Sequence, residues 1–228
     1  MRVAARVAAL YDVHGNVPAL DAVLAEVDAD VIVVGGDFVA GPWPAQTIER
    51  LRGLDGDVRF IRGNADRELV QKEPGLAPPE VMEFVRSRLS DDDVEFLRSL
   101  PLSETIGRTV FCHATPRNDE EIFTRDSPDE RWREALAGVD ADVVVCGHTH
   151  VQFDRRIGAM RLVNAGSIGM PYERASGAYW ALIADDVELR RTEYEPPDIG
   201  ATGWPEEWPA ATPDEATEYF ERLSLEKY

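Results

Sequence analysis

The chain has four histidines, and each sits in a short turn-forming stretch beside an apolar run. "YDVHGN" carries Asp12 and His14, "CHATPR" carries His113, and "GHTH" carries His148 and His150. Two similar stretches, "GGDF" and "GNAD", carry Asp37 and Asn64. Neutral imidazoles combined with carboxylate and amide oxygens suit Mn²⁺, Fe, Zn²⁺, Co²⁺ or Ni²⁺, whereas Ca²⁺ and Mg²⁺ prefer oxygen-only shells. The seven donors Asp12, His14, Asp37, Asn64, His113, His148 and His150, with no extra cysteine, fit two divalent transition metal ions better than one. Taken singly, each stretch has a plainer reading. Asp37 can serve as a cap or turn residue, His113 as a hydrogen-bonded core histidine, and Gly147 with Thr149 as shapers of a tight turn. The argument for a site is the conjunction: every histidine at a strand end, with an Asp or Asn at each remaining end.

Strands must deliver those side chains. Apolar, β-branched runs recur at 6–11, 30–35, 58–61, 109–112, 142–147 and 161–164. Helical patterns separate them at 17–28, 44–54, 79–100 (split near Ser90) and 127–139, the last opened by Ser127 and closed by Gly138. This alternation predicts an α/β fold whose strands are largely covered on both faces. The carboxyl ends of neighbouring strands in such folds converge on one crevice. The last third changes character: 177–186 and 187–194 read as antiparallel strands around an acidic turn. Residues 195–214 are Pro-rich, and Trp204 with Trp208 suggests a packed strap. A short amphipathic helix follows. The expected division is one domain over 1–194, which carries all seven donors, with a strap and helix over 195–228 packed on it.

The 228 residues suffice for one sizeable core. With 24 Lys+Arg against 43 Asp+Glu, the formal charge of −19 argues against non-specific nucleic-acid binding and against anionic membranes. No apolar run is long enough to span a bilayer. Cys112 and Cys146 lie inside apolar runs, as buried reduced thiols of a cytoplasmic protein would.

The ordered series Asp12-Val13-His14, Gly36-Asp37, Gly63-Asn64, His113 and Gly147-His148-Thr149-His150 resembles the calcineurin-like metallophosphoesterase superfamily. "DVHGN", "GNAD", "HATPR" and "LVNAGSIGMP" resemble its small bacterial phosphodiesterase branch. The resemblance implies a two-sheet β sandwich flanked by helices, with metals at one edge, manganese foremost. It implies that Asp12, His14 and His150 hold one ion, that Asn64, His113 and His148 hold the other, and that Asp37 bridges them. A hydroxide between the ions would attack a small phosphoester or nucleotide-like substrate in line.

One position departs from the pattern. Many superfamily members carry a histidine after the "GN" pair, where it assists the leaving oxygen; this chain has Ala65, followed by Asp66. Because the ligand map uses every histidine, none is left to replace it. Losing a positioned general acid typically costs ~10²- to 10⁴-fold, mostly on substrates with strongly basic leaving groups, so phosphodiesters and other activated esters are expected. Asp66 is then either a supporting carboxylate or a turn residue. Arg117 is a candidate phosphate ligand through its bidentate fork, or else a surface salt-bridge partner. Asn16 and Ser167 are weaker substrate candidates. Alternative functions are a dinucleoside polyphosphate hydrolase, a phosphomonoesterase, and a non-catalytic metal-binding scaffold for protein partners.

Overall fold

A computed structural model describes residues 5–205 and 211–227. Its first strand explains the unbroken apolar run at the start of the chain. In β1 (Val7–Leu10), Val7 and Ala9, continued by Tyr11, face a second sheet carrying Phe111, Val145 and Val163. Ala8 and Leu10 face the opposite way, onto helices that contribute Leu20, Val23 and Leu51. A strand covered on both faces gains nothing from polar alternation.

Two five-stranded sheets result. The first has β1, β2 (Val31–Val34), β3 (Asp57–Phe60), β9 (Ala178–Ile183) and β10 (Val187–Thr192), in the order β10-β9-β1-β2-β3. Strands β1, β2 and β3 run parallel, and β9 and β10 close that edge antiparallel, as the acidic turn between them predicts. The second sheet has β4 (Ser103–Ile106), β5 (Thr109–Cys112), β6 (Val143–Cys146), β7 (Phe153–Ile157) and β8 (Met160–Asn164), in the order β4-β5-β6-β8-β7. Strands β5, β6 and β8 are parallel. The sheets pack face to face, and the phenolic hydroxyl of Tyr11 crosses between them to donate to the Val145 carbonyl at 3.0 Å.

Helices α1 (Val17–Glu26), α2 (Pro44–Arg52), α3 (Asn64–Gln71), α4 (Pro79–Arg86) and α5 (Asp91–Ser99) follow the first sheet's strands. Helix α6 (Asp129–Ala135) covers the outer face of the second sheet through Trp132, over Val110, Val144 and Leu162. Ser90 caps α5, accepting from the Asp93 N–H at 3.2 Å, which explains the break in the 79–100 pattern. Helix α6 is shorter than its sequence pattern. Ser127 does not open it but accepts from Thr124 N–H at 2.9 Å, so the helix begins after Pro128. Both cysteines are buried and free.

Beyond β10, Trp204 packs edge-on against Phe84 of α4, with centroids 5.2 Å apart, and α7 (Pro213–Lys227) closes the chain. Trp208 lies outside the described residues. No helix among the described residues is long and apolar enough to cross a membrane.

Tyr11 and Gly35 pack closely within the sandwich. A Cβ on Gly35 would sit 2.1 Å from the buried Tyr11 ring. Overpacking a well-filled core costs about 1–3 kcal/mol, and a domain of this size loses about 2–4 °C of Tm per kcal/mol. Gly35→Ala is therefore expected to lower the calorimetric Tm by roughly 3–10 °C; an unchanged Tm would mean that the ring can move aside freely.

Candidate metal centre

The loops leaving the parallel strands meet at one edge of the sandwich. Three come from the first sheet, carrying Asp12 and His14 after β1, Asp37 after β2 and Asn64 after β3. Two come from the second, carrying His113 after β5 and His148 with His150 after β6. The convergence thus needs two facing sheets rather than one open sheet. All seven donors are buried, with none more than 6% exposed.

Five of the seven adopt a left-handed backbone: Asp12 (φ 52°), His14 (φ 45°), Asp37 (φ 49°), His148 (φ 66°) and His150 (φ 58°). Among the described residues, the only other non-glycine with positive φ is Lys72. Each such residue costs on the order of 1–3 kcal/mol and persists only where its surroundings over-determine it. Here the loops bind one another. Asp12 N–H donates to Gly36 O at 3.1 Å, His14 N–H to Asp37 O at 3.0 Å, Gly147 N–H to His113 O at 2.9 Å and Gly169 N–H to Asp12 O at 3.0 Å.

The tightest electrostatic constraint lies in the imidazoles. Nδ1 of His14 is 3.0 Å from Ala40 O, Nδ1 of His113 is 2.9 Å from Gly35 O, and Nδ1 of His150 is 2.7 Å from Met170 O. A carbonyl only accepts, so each Nδ1 carries the proton. In the neutral ring, Nε2 is then a bare lone pair facing inward. The Nε2 atoms of His14 and His150 lie 3.1 Å apart. His113 Nε2 lies 3.2 Å from Asn64 Oδ1 and 3.4 Å from Asp37 Oδ2. Asp12 Oδ1 has no hydrogen-bond partner, yet it stands 3.2 Å from His150 Nε2 and 3.7 Å from His14 Nε2. His148 Nε2 is likewise buried and unpartnered. Acceptors held this close repel one another unless cations lie among them. Two triads, Asp12-His14-His150 and Asp37-His113-His148, each bring their ligand atoms within 4.8 Å. The donor set fits a pair of divalent transition metal ions.

Protonation tells the same story. Burial pushes the Asp12 carboxyl up, but the neighbouring His150 and His113 more than offset it and hold it far below the usual carboxylate range. Burial pulls His113 down, yet the Asp37 and Asp12 charges raise it to about 10. His148, buried and beside His113, falls to about 3. Without a metal, protons collect where cations belong.

A further layer aims these donors. Asp12 Oδ2 accepts from the His148 N–H at 2.9 Å, joining the two sheets' loops and leaving Oδ1 for a ligand. Asp37 Oδ1 accepts from Ala65 N–H at 2.8 Å. Glu68, unnoticed in the sequence, accepts from Asn64 Nδ2 at 3.1 Å and so turns Oδ1 of the amide toward His113. Its signal was the four-residue spacing from Asn64, but that spacing means something only once residues 64–71 are known to be helical.

The remaining sequence candidates have other positions. Arg117 is not among the cavity-lining residues; its exposed guanidinium forks onto Glu121, with Nη2 2.7 Å from Oε1, four residues along the same loop. Asn16 is fully buried, caps α1 by accepting from Ala19 N–H at 3.2 Å, and donates to Gly169 O and Tyr194 Oη. Ser167, also fully buried, donates to Asp12 O at 2.8 Å and accepts from Met170 N–H at 2.8 Å. The polar groups of both bond neighbouring loops. Asp66 lies behind Asp37: Oδ2 accepts from the N–H groups of Asp37 at 2.8 Å and Gly63 at 2.9 Å. Burial and the Asp37 charge raise its carboxyl to about 7. Ala65 does line the cavity, 5% exposed.

Comparison with known proteins gives consistent results. Residues 6–186 match the calcineurin-like phosphoesterase superfamily domain. An uncharacterized protein of Methanocaldococcus jannaschii is 25% identical over 83% of this chain and 88% of its own length. A symmetrical bis(5'-nucleosyl)-tetraphosphatase of Klebsiella pneumoniae is 31% identical over 48% of this chain and 44% of that protein, so the match spans less than half its length. Among solved structures, a metallophosphoesterase from Sphaerobacter thermophilus superposes with a TM-score of 0.73 at 25% identity, covering 86% of this chain and 92% of that one. A hypothetical protein of Pyrococcus horikoshii shares the fold with a TM-score of 0.77 at 22% identity, covering 94% and 97%.

Two outcomes follow for metal binding. Because His113 carries a proton up to about pH 10 in the metal-free site, an incoming ion must displace it. Affinity therefore rises with pH, by about tenfold per unit for each proton displaced. Mn²⁺ titrations at pH 6.5 and 8 check this, and equal affinity at both would contradict it. Asp66→Ala removes the acceptor that joins the Asp37 and Gly63 backbones and is expected to weaken metal binding by about 10–100-fold. Asp66→Asn keeps an acceptor oxygen and should lose much less; equal losses would show that charge, not the clamp, matters.

Proposed function

The chain belongs to the calcineurin-like phosphoesterase superfamily and is a phosphoester hydrolase, and we propose that it works through two divalent ions, preferably manganese, on phosphodiesters and other activated phosphoesters. The observation that carries this reading is the set of inward-facing lone pairs, with Nε2 of His14 and His150 3.1 Å apart. In this reading Asp12, His14 and His150 would hold one ion, Asn64, His113 and His148 would hold the other, and Asp37 would serve as a ligand between them. When bound, the ions would supply a strong nucleophile from water near neutral pH and neutralise charge on the phosphoryl oxygens.

The protein's own groups set the geometry and the preference. The carbonyls of Ala40, Gly35 and Met170 fix three imidazoles in one tautomer, so no reorganisation accompanies catalysis. Ala65, at the cavity wall, offers no proton to a departing oxygen. Every histidine lies among the donors, so none is left for that task. Esters whose leaving group is already a weak base lose least from this. The intact donor set counts against a non-catalytic scaffold. The tetraphosphatase relative supports a second reading, hydrolysis of dinucleoside polyphosphates, over the matched part of the chain.

A metal-reconstituted substrate comparison tests the proposal. The Mn²⁺-loaded protein is expected to hydrolyse bis(p-nitrophenyl) phosphate with a kcat/KM at least ~10²-fold above that for an alkyl phosphate monoester. Asp37→Asn should abolish both. Equal rates on the two substrates would overturn the diester preference.

A further inference from the structure

Above the donors lies a cavity of about 320 Å³, near the small end of ligand sites. Among the described residues that line it there is no Lys or Arg. Its charged lining residue is Asp37, which lies with Asn64, His14, His148 and His150 among the donors. The walls are apolar and largely aromatic: Tyr172, Trp204, Tyr219 and Phe220, with Met170 and Val81 between them.

The rings begin at the ligands. Tyr172 lies flat on His150, with centroids 5.1 Å apart and planes 19° from parallel. The Phe220 ring is 6.3 Å from His148 and 6.3 Å from Tyr172. A phosphoryl group at the donors therefore places its next substituent against aromatic surface. Trp204, Tyr219 and Phe220 lie beyond residue 186, where the superfamily match ends. The wall is also tied down. Thr124 Oγ1 donates to Glu221 at 2.6 Å, Arg131 Nη2 to Ser224 Oγ at 2.5 Å, and Arg174 Nη2 to Asp214 at 2.7 Å, which holds α7 against neighbouring loops.

We propose that this wall seats a flat aromatic group of a substrate carrying a single phosphodiester, with Tyr172, Tyr219 and Phe220 as specificity determinants. The inference rests on the phosphoesterase reading and narrows it. A chain of several phosphates would bring its negative charge into a cavity whose described lining holds the Asp37 carboxylate and no Lys or Arg, so that only the ions would offset it. An aromatic ring gains by leaving water and by stacking edge or face on the existing rings.

Hydrolysis-resistant monoanions test it: methyl phenylphosphonate, methyl methylphosphonate and a nucleoside 5′-methylphosphonate, each titrated calorimetrically into the Mn²⁺-loaded protein. The phenyl compound is expected to bind at least about tenfold more tightly than the methyl one. That ratio should fall several-fold in Phe220→Leu, which keeps apolar bulk, and in Tyr219→Ala, where the side chain is 48% exposed and the fold is not at stake. Tighter binding of the nucleoside compound than of the phenyl one would identify the aromatic group as a base; weaker binding would identify it as a simple aryl. Equal affinity for phenyl and methyl, or a ratio unmoved by both substitutions, overturns the proposal. Hydrolysis of diesters without any aromatic preference would sink the wall's role and leave the phosphoesterase reading intact. Aromatic preference without hydrolysis of any phosphoester would do the reverse.

Discussion

Three backbone carbonyls govern this site. By taking the Nδ1 protons of His14, His113 and His150, the oxygens of Ala40, Gly35 and Met170 leave three Nε2 lone pairs aimed at the carboxylates of Asp12 and Asp37 and the amide oxygen of Asn64. Among the described residues that line the cavity, no Lys or Arg relieves that crowding of acceptors. A proton does so partially, which is why His113 holds one so tightly. Divalent cations do so fully, and their binding energy then adds to the stability of the edge they occupy.

The cost of this arrangement appears in the backbone. Five donors in left-handed conformations would be unstable as isolated turns. They persist because each loop is hydrogen-bonded to the next and because close approaches leave no room to relax. A Cβ on Gly41 would lie 1.6 Å from the His14 carbonyl oxygen, and one on Gly63 would lie 2.0 Å from Asp37 Oδ1. The Tyr11 hydroxyl and the Asp12 carboxylate, which both cross from the first sheet to the second, fix how the two sets of loops face each other. Fold and site therefore share the same few contacts.

Much of this was legible in the amino-acid sequence because it depends on local pattern. Doubly covered strands such as Val31–Val34 and Val143–Cys146 read as unbroken β-branched runs, and the donors follow them directly. Strands β4 and β7 escaped notice because their faces are only partly buried and "SETI" and "FDRRI" carry charge. Helix α3 escaped because it starts at Asn64 itself, inside a motif that reads as a loop, and its N-terminal carboxylate Asp66 reads equally as a supporting carboxylate or a turn residue. Arg117 was attractive for its nearness to His113 in sequence, but Glu121 lies on the same loop and claims its fork. Asn16 and Ser167 carry groups that suit substrate or backbone equally well, and only tertiary structure shows that backbone has them. The aromatic wall could not be read at all. Its members come from three distant segments, and only the cavity they line together unites them.

The facing acceptors call for cations. Electron paramagnetic resonance of the Mn²⁺-reconstituted protein, combined with elemental analysis, measures this most directly. Two manganese ions per chain with an exchange-coupled signal are expected, because His113 of one triad stands 4.0 Å from Asp12 of the other. One ion per chain, or two that behave as isolated spins, would contradict a dinuclear centre.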